Sequence, residues 1–202
     1  MAWMQPLLKL YADRLSQPSR ALIIFCRVNQ IDFEEVRVDI AKGQHRAPEF
    51  KKINPMGQVP AIVDGRFRLF ERSPNSTFVL HTALAPFLGL TPDPEAAKEA
   101  EKLLVRSLKT IESIWLKGDA KFLNGNPQPS IADLSLVCEI MQLEVMGDER
   151  RDRILGPHEK IRAWMENLEK ATSPHFAEAH ELIFKLKARL SSTAHAKPPS
   201  KI

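Results

Sequence analysis

Every strand signal in this chain lies before residue 71, and the signals after it are helical, a division that limits the fold more than any other feature. LLKLYA (7–12) alternates like a half-buried strand, and FEEVRV (33–38) offers a second. GQVPAIVDGRFRLF (57–70) reads as a hairpin, AIV and RFRLF joined at Asp64-Gly65. Asp-Gly between two apolar runs is a strong hairpin signal, because the tight turn needs residues that tolerate positive φ. Between the first two strands, Ala21, Leu22, Phe25 and Cys26 recur at helical spacing, and a short helix fits around Pro48–Ile53. The order is β-α-β-α-β-β, with a first strand pair able to run parallel and a last pair antiparallel.

The remainder predicts a helical domain. Asp93 can cap a helix that Pro94 opens, running to Leu116 with Gly118 closing it and Leu104, Leu108, Ile111 and Trp115 as its apolar stripe. SIADLSLVCEIMQLEVMG (130–147) starts with a capping pattern, Ser130 bonding a backbone donor and Asp133 favouring the same helix end. That segment is apolar on nearly every side, which makes it the buried spine of the domain. Two amphipathic helices follow at 158–171 and 174–190, and a polar tail, SSTAHAKPPSKI (191–202), is expected to be disordered.

With 44% apolar and 27% charged residues the chain reads as an ordinary soluble protein, and no run is long enough to span a membrane. The first residues lack a basic start, a sustained apolar stretch and a cleavage site, so no secretory signal is expected. Cys26 and Cys138 sit in apolar helical patterns and are expected to be reduced core residues. The net charge of +4 is spread among acids, with one Tyr and no basic–aromatic strip, which argues against a nucleic-acid partner. The six histidines show no metal-ligand spacing.

One junction stands out chemically. The first strand ends in LSQPS (15–19), where Pro18 marks the first turn of a helix and Ser16 sits just before it, near unpaired backbone donors. Ser16 is either a plain cap or the holder of something else. Val59-Pro60 leads into the third strand, where a cis bond would signal a functional bend.

A small β-α-β-α-β-β unit with Val-Pro before its third strand, then an all-helical domain with an N-capped buried helix, resembles the glutathione transferases. The match is with the theta class and its plant members, carried by LYADRLSQPSRALIIFC, KGQH, INPMGQVPAIVDG, LFE, SIADLSLVCEIMQLEV and ATSPHFAEAHELIFK. It implies an α/β thioredoxin-like N-terminal domain over 1–73, an all-α C-terminal domain over 78–190, and homodimers. Glutathione would be a co-substrate, with no cofactor and no metal. Ser16 would be the catalytic residue, its hydroxyl donating to the glutathione sulfur. Ser16 and Ser19 occupy the slots of the thioredoxin Cys-x-x-Cys, which excludes dithiol chemistry there. Lowering a thiol pKa of ~8.5 by about two units needs roughly 2.7 kcal/mol of preference for the anion. A hydrogen bond to a charged acceptor supplies about 1.5–3 kcal/mol and a helix N-terminus about 0.3–1 kcal/mol, enough without a general base. The resemblance also places Gln17 near the tripeptide, His45 at its glycyl carboxylate, Gln58 and Val59 along its cysteinyl part, and Glu71 at its γ-glutamyl amino group. Against these stand the plainer readings of His45 as a solvated loop histidine and Glu71 as an exposed strand-end charge.

The resemblance breaks after Glu71. Where the family continues Glu-Ser into an apolar helix, this chain reads Arg72, then Ser73, then a polar link into FVLHTALAPFLGL. The last helix of the thioredoxin-like unit, the linker and the start of the next helix are missing, which leaves that unit incomplete. The expected function is conjugation of glutathione to electrophiles, reduction of organic hydroperoxides, or both. The competing reading is a catalytically impaired binding protein that keeps the family's shape. The ending Ser200-Lys201-Ile202 resembles a peroxisomal address, against the alternatives of an inert tail and a cytosolic protein.

Overall fold

The computed structural model describes residues 8–64, 67–70 and 91–195. Strands β1 (Leu8–Ala12), β2 (Phe33–Arg37), β3 (Ala61–Asp64) and β4 (Phe67–Phe70) form one sheet in the order β2-β1-β3-β4. β1 runs parallel to β2, with Leu10 opposite Glu35, and antiparallel to β3, with Leu10 opposite Ile62. β3 and β4 form the expected hairpin, Asp64 opposite Phe67. This is the thioredoxin-like arrangement anticipated from the residues.

Helix α1 (Gln17–Val28) makes the crossover that a parallel strand pair requires. It is buried on two sides. Ile23 packs with Leu10 and Ala12 of β1, while Ala21 and Ile24 belong to the core of the helical domain. The short α2 (Pro48–Lys51) sets Phe50 against Val38 and Ala61 beneath the sheet.

In the helical domain, α3 (Pro94–Thr110) begins as expected, the Asp93 carboxylate accepting from the amides of Glu95 and Ala96 at 3.1 and 3.0 Å. Its end differs from expectation. Residues Ile111–Trp115 form a π-helical turn, in which the Leu116 amide donates to the Ile111 carbonyl at 3.0 Å. The wider turn advances the buried face by five residues instead of four, so Ile111 and Leu116 are buried while Trp115 is 42% exposed. Trp115 therefore leaves the apolar stripe assigned to it.

The expected spine is α4 (Ile131–Ile140) continued by a 3-10 segment, Met141–Met146, with Leu134, Val137, Cys138, Ile140, Met141, Leu143 and Val145 all buried. Both cysteines are free and buried, and burial pushes the Cys138 thiol up to about 12. Helix α5 (Asp148–Leu155) was not legible in the sequence, because DERRDRIL has too few apolar residues to show a period. α6 (Glu159–Ala171) is capped from outside itself: Glu112 on the π turn accepts from the Lys160 amide and pairs with His158 Nδ1 at 2.7 Å. α7 (His175–His195) continues past Leu190, five residues into the stretch expected to be disordered; residues 196–202 lie outside the described ones. Among the described residues, no helix is long and apolar enough to cross a membrane, and no group of three or more His, Cys, Asp or Glu could hold a metal ion.

Asp133 does more than cap. Its fully buried carboxylate accepts from the Ser130 amide (2.9 Å) and hydroxyl, from the Leu123 amide (2.8 Å) and from Trp164 Nε1 (2.9 Å). One side chain thus ties the start of α4 to the preceding loop and to α6. Asp133→Ala is expected to lose about 3–5 kcal/mol, since it strands buried donors; a denaturant midpoint shift worth under about 1 kcal/mol would contradict this assignment.

His180, fully buried on α7, donates through Nδ1 to the Phe176 carbonyl at 2.8 Å, and burial lowers its pKa to about 3. The unfolded chain, with a histidine near ~6.5, binds that proton much earlier. Stability is therefore expected to fall as pH drops from about 6.5 toward the folded value, at up to about 1.4 kcal/mol per unit. His180→Phe should flatten melting temperature against pH in that window, and an unaltered slope would show that another group controls it.

Candidate functional site

The turn between β1 and α1 is built by Asp13. Its buried carboxylate accepts from the Leu15 amide through Oδ1 (2.9 Å) and from the Ile40 amide through Oδ2 (2.8 Å), and its carbonyl accepts from the Ser16 amide (2.9 Å). Ser16 then sits at the N-cap position of α1 in extended backbone, φ −78° and ψ 125°. Its hydroxyl makes no capping bond. That hydroxyl instead faces the Val59 carbonyl at 3.5 Å, the outer limit of a hydrogen bond. Ser16 and Gln17 are each 9% exposed, and Ser19 is fully buried.

The opposite wall is the loop leading into β3. The Val59-Pro60 bond is cis. Buried Asn54 shapes this loop, its Nδ2 donating to the Gln58 carbonyl (2.7 Å) and its Oδ1 accepting from the Met56 amide (2.9 Å). Gly57 has φ +61°, and a Cβ there would lie 3.0 Å from the His45 carbonyl oxygen, so only glycine fits. That close approach brings the 3-10 turn Gln44–Arg46 against the loop. His45 is half-buried, and burial, followed by the charge of Arg46, lowers its pKa below the ordinary histidine value.

Of the residues singled out in the sequence, Ser16, Gln17, Gln58, Val59 and His45 lie around this one end of the sheet, where β1 finishes and β3 begins. Glu71 and the break after it lie outside the described residues; β4 ends at Phe70 opposite Ala61, two residues beyond Val59. Asp13, Asn54, Arg20 and Gln142 were missed. Asn54 before Pro55 carried a signal, because Asn commonly folds its side chain back onto its own loop. Arg20 stands out as a cation within SRALIIF, whereas Gln142 carried no signal. A groove of about 910 Å³ between α3 and α5, rimmed by Lys98, Arg106 and Arg150, contains none of the site residues.

Charge ties the two domains on the far side of the same turn. Arg14 donates to both oxygens of Glu35 (2.8 and 2.7 Å) and to the Glu178 carbonyl (3.2 Å). The Arg14 hydrogen bonds hold the Glu35 carboxyl below its ordinary range.

Two family models match: glutathione S-transferase, N-terminal domain, over residues 7–73, and glutathione S-transferase, C-terminal domain, over residues 94–167. Glutathione S-transferase T1 of Arabidopsis thaliana is 50% identical over 221 positions, covering 89% of this chain and 90% of that protein. Glutathione S-transferase T2 of the same plant is 47% identical over 235 positions, covering 96% of this chain but 40% of that longer protein. Both alignments run longer than the 202-residue chain, so these relatives contain residues with no counterpart here. Among solved structures, apo human glutathione-S-transferase T1-1 is 30% identical with a TM-score of 0.78, covering 90% of this chain and 91% of that one. Human glutathione transferase theta-2, in complex with glutathione and an unknown ligand, is 26% identical with a TM-score of 0.78, covering 95% and 92%. With both domains, the strand order and these relatives in agreement, the chain belongs to the glutathione S-transferase family, as a shortened glutathione transferase of the plant-like theta class.

Proposed function

We propose that this transferase ionises bound glutathione with Ser16 and delivers the thiolate to small electrophiles, organic hydroperoxides, or both. The observation that carries this reading is the idle hydroxyl. Ser16 occupies the cap position, yet its Oγ makes no cap bond, and among the described residues it meets only a marginal acceptor, the Val59 carbonyl at 3.5 Å. A hydroxyl in that state has its proton available for a better acceptor, and a thiolate is one. The helix N-terminus beside it favours negative charge. The human theta-2 relative was solved with glutathione bound, which supports the choice of thiol.

In this reading glutathione lies along the Gln58-Val59 backbone as an added strand, its cysteinyl group paired with Val59. Gln17 lies near the tripeptide, His45 receives the glycyl carboxylate, and Glu71 receives the γ-glutamyl amino group. Once formed, the thiolate attacks an electrophilic carbon and the leaving group departs with its electron pair. With a hydroperoxide, the sulfur attacks the terminal peroxide oxygen and the alcohol leaves. A second glutathione then displaces hydroxide from the sulfenic acid and gives the disulfide. Two copies are proposed to associate, and the ending Ser200-Lys201-Ile202 to direct the chain to the peroxisome, with a cytosolic share.

Ser16→Ala tests the central claim. It should still bind glutathione, while the acidity of the bound thiol returns to that of free glutathione and kcat falls roughly ten- to hundredfold. A variant with unchanged thiol acidity and full activity would refute the role of Ser16. For the address, a fluorescent reporter fused to residues 191–202 should collect in peroxisomes, and a diffuse signal would retire that part of the proposal.

A further inference from the structure

The two carbonyls preceding Ser16 are gripped from inside the protein. Arg20 Nη1 donates to the Arg14 carbonyl at 2.9 Å and the Leu15 carbonyl at 3.0 Å, and Gln142 Nε2 donates to the same Leu15 carbonyl at 3.3 Å. Arg20 Nη2 donates to the Cys138 carbonyl of α4 at 2.9 Å. Arg20 is fully buried and Gln142 is 7% exposed. The guanidinium donates to three main-chain oxygens and lies beside the Cys138 side chain, and among the described residues its Nε has no partner.

A buried charge is a costly way to join two helices. Ala21 and Ile24 already join α1 to the helical domain through apolar contact. What apolar contact cannot do is fix the plane of a peptide. The Leu15–Ser16 peptide is held from both ends: its oxygen by Arg20 and Gln142, its N–H by the Asp13 carbonyl. Turning that plane would swing the Ser16 Cβ and its hydroxyl.

We propose that Arg20 and Gln142 are positioning residues for Ser16, through which the all-helical domain sets the direction of the hydroxyl. Gln142 belongs to that domain, and the Cys138 carbonyl that anchors Arg20 does too. The proposal rests on the reading of Ser16 given above.

The test uses the full chain, comparing Arg20→Met, Arg20→Lys and Gln142→Met with the wild type and Ser16→Ala. The readouts are the pKa of the bound glutathione thiol by thiolate absorbance, the Kd of glutathione by calorimetry, and kcat and KM with an activated chloronitroarene. Gln142→Met should raise the bound-thiol pKa by about half a unit and Arg20→Met by about one unit, with Arg20→Lys between them. At about pH 5.5, roughly one unit below a wild-type bound-thiol pKa of ~6.5, the corresponding falls in kcat are about three- and tenfold. At the same acidic pH, where glutathione binds mainly as the thiol, its Kd and KM should stay within about twofold, which separates misdirection of Ser16 from a general loss of structure. Folded variants whose bound thiol is as acidic as in the wild type would overturn the proposal. Should the Arg20 variants fail to fold, Gln142→Met decides alone, and its failure to fold as well would mark the contacts as scaffold and overturn the proposal too. A silent Ser16→Ala would instead sink the reading of Ser16 itself, a distinguishable result.

Discussion

The site depends on a peptide turn that neither sheet nor helix holds. Between Ala12, where β1 ends, and Gln17, where α1 starts, the backbone groups have no ladder to join, and buried backbone polar groups need partners. Asp13 satisfies the amides of Leu15 and Ile40, and Arg20 satisfies the carbonyls of Arg14 and Leu15. With those groups occupied, Ser16 is left at the helix start with a hydroxyl uncommitted to the cap. A serine that capped its own helix would be more ordinary and would have less to offer a ligand.

Position then follows from packing. α1 lies between the sheet and the helical domain, with Ile23 on one side and Ala21 and Ile24 on the other. The helical domain is in turn organised by acids placed where chains of donors converge: Asp133 joins α4, the Leu123 loop and α6, and Glu112 caps α6 from the π turn. These are long-range contacts, so the orientation of α4 against α1, and hence of the Cys138 carbonyl against Arg20, is a property of the whole domain. The far wall is set just as indirectly, by Asn54 folding the loop back and Gly57 admitting the His45 carbonyl.

Much of this was legible beforehand where the signal is local. The β3–β4 hairpin, the Asp93-Pro94 start and the Ser130/Asp133 cap each need only a few neighbouring residues; the two helix starts are where the pattern placed them, and the hairpin pairs as expected, with Asp64 inside the strand opposite Phe67. Signals that depend on period failed where the period changes. The π turn at Ile111–Trp115 moves Trp115 out of the buried stripe, and the charged helix Asp148–Leu155 has no apolar period to read. In the site, Ser16 and the Val59 stretch were readable because strand, proline and helix follow one another directly. Arg20 and Gln142 were not, since their partners are chosen by fold.

By itself, then, the sequence determined most of the element types, the caps, the succession of a strand-bearing part by a helical one and the chemical identity of the groups at the β1–α1 junction, because these follow from near-neighbour sterics and hydrogen bonding. Only the tertiary structure decided that Ser16 leaves its cap unfilled, that its hydroxyl meets the Val59 carbonyl, and that a buried guanidinium links this turn to a helix more than a hundred residues away. The physical reason is that a hydrogen-bonding group takes the best partner its surroundings allow, and for these groups the surroundings exist only after the sheet and the helical domain have closed on α1.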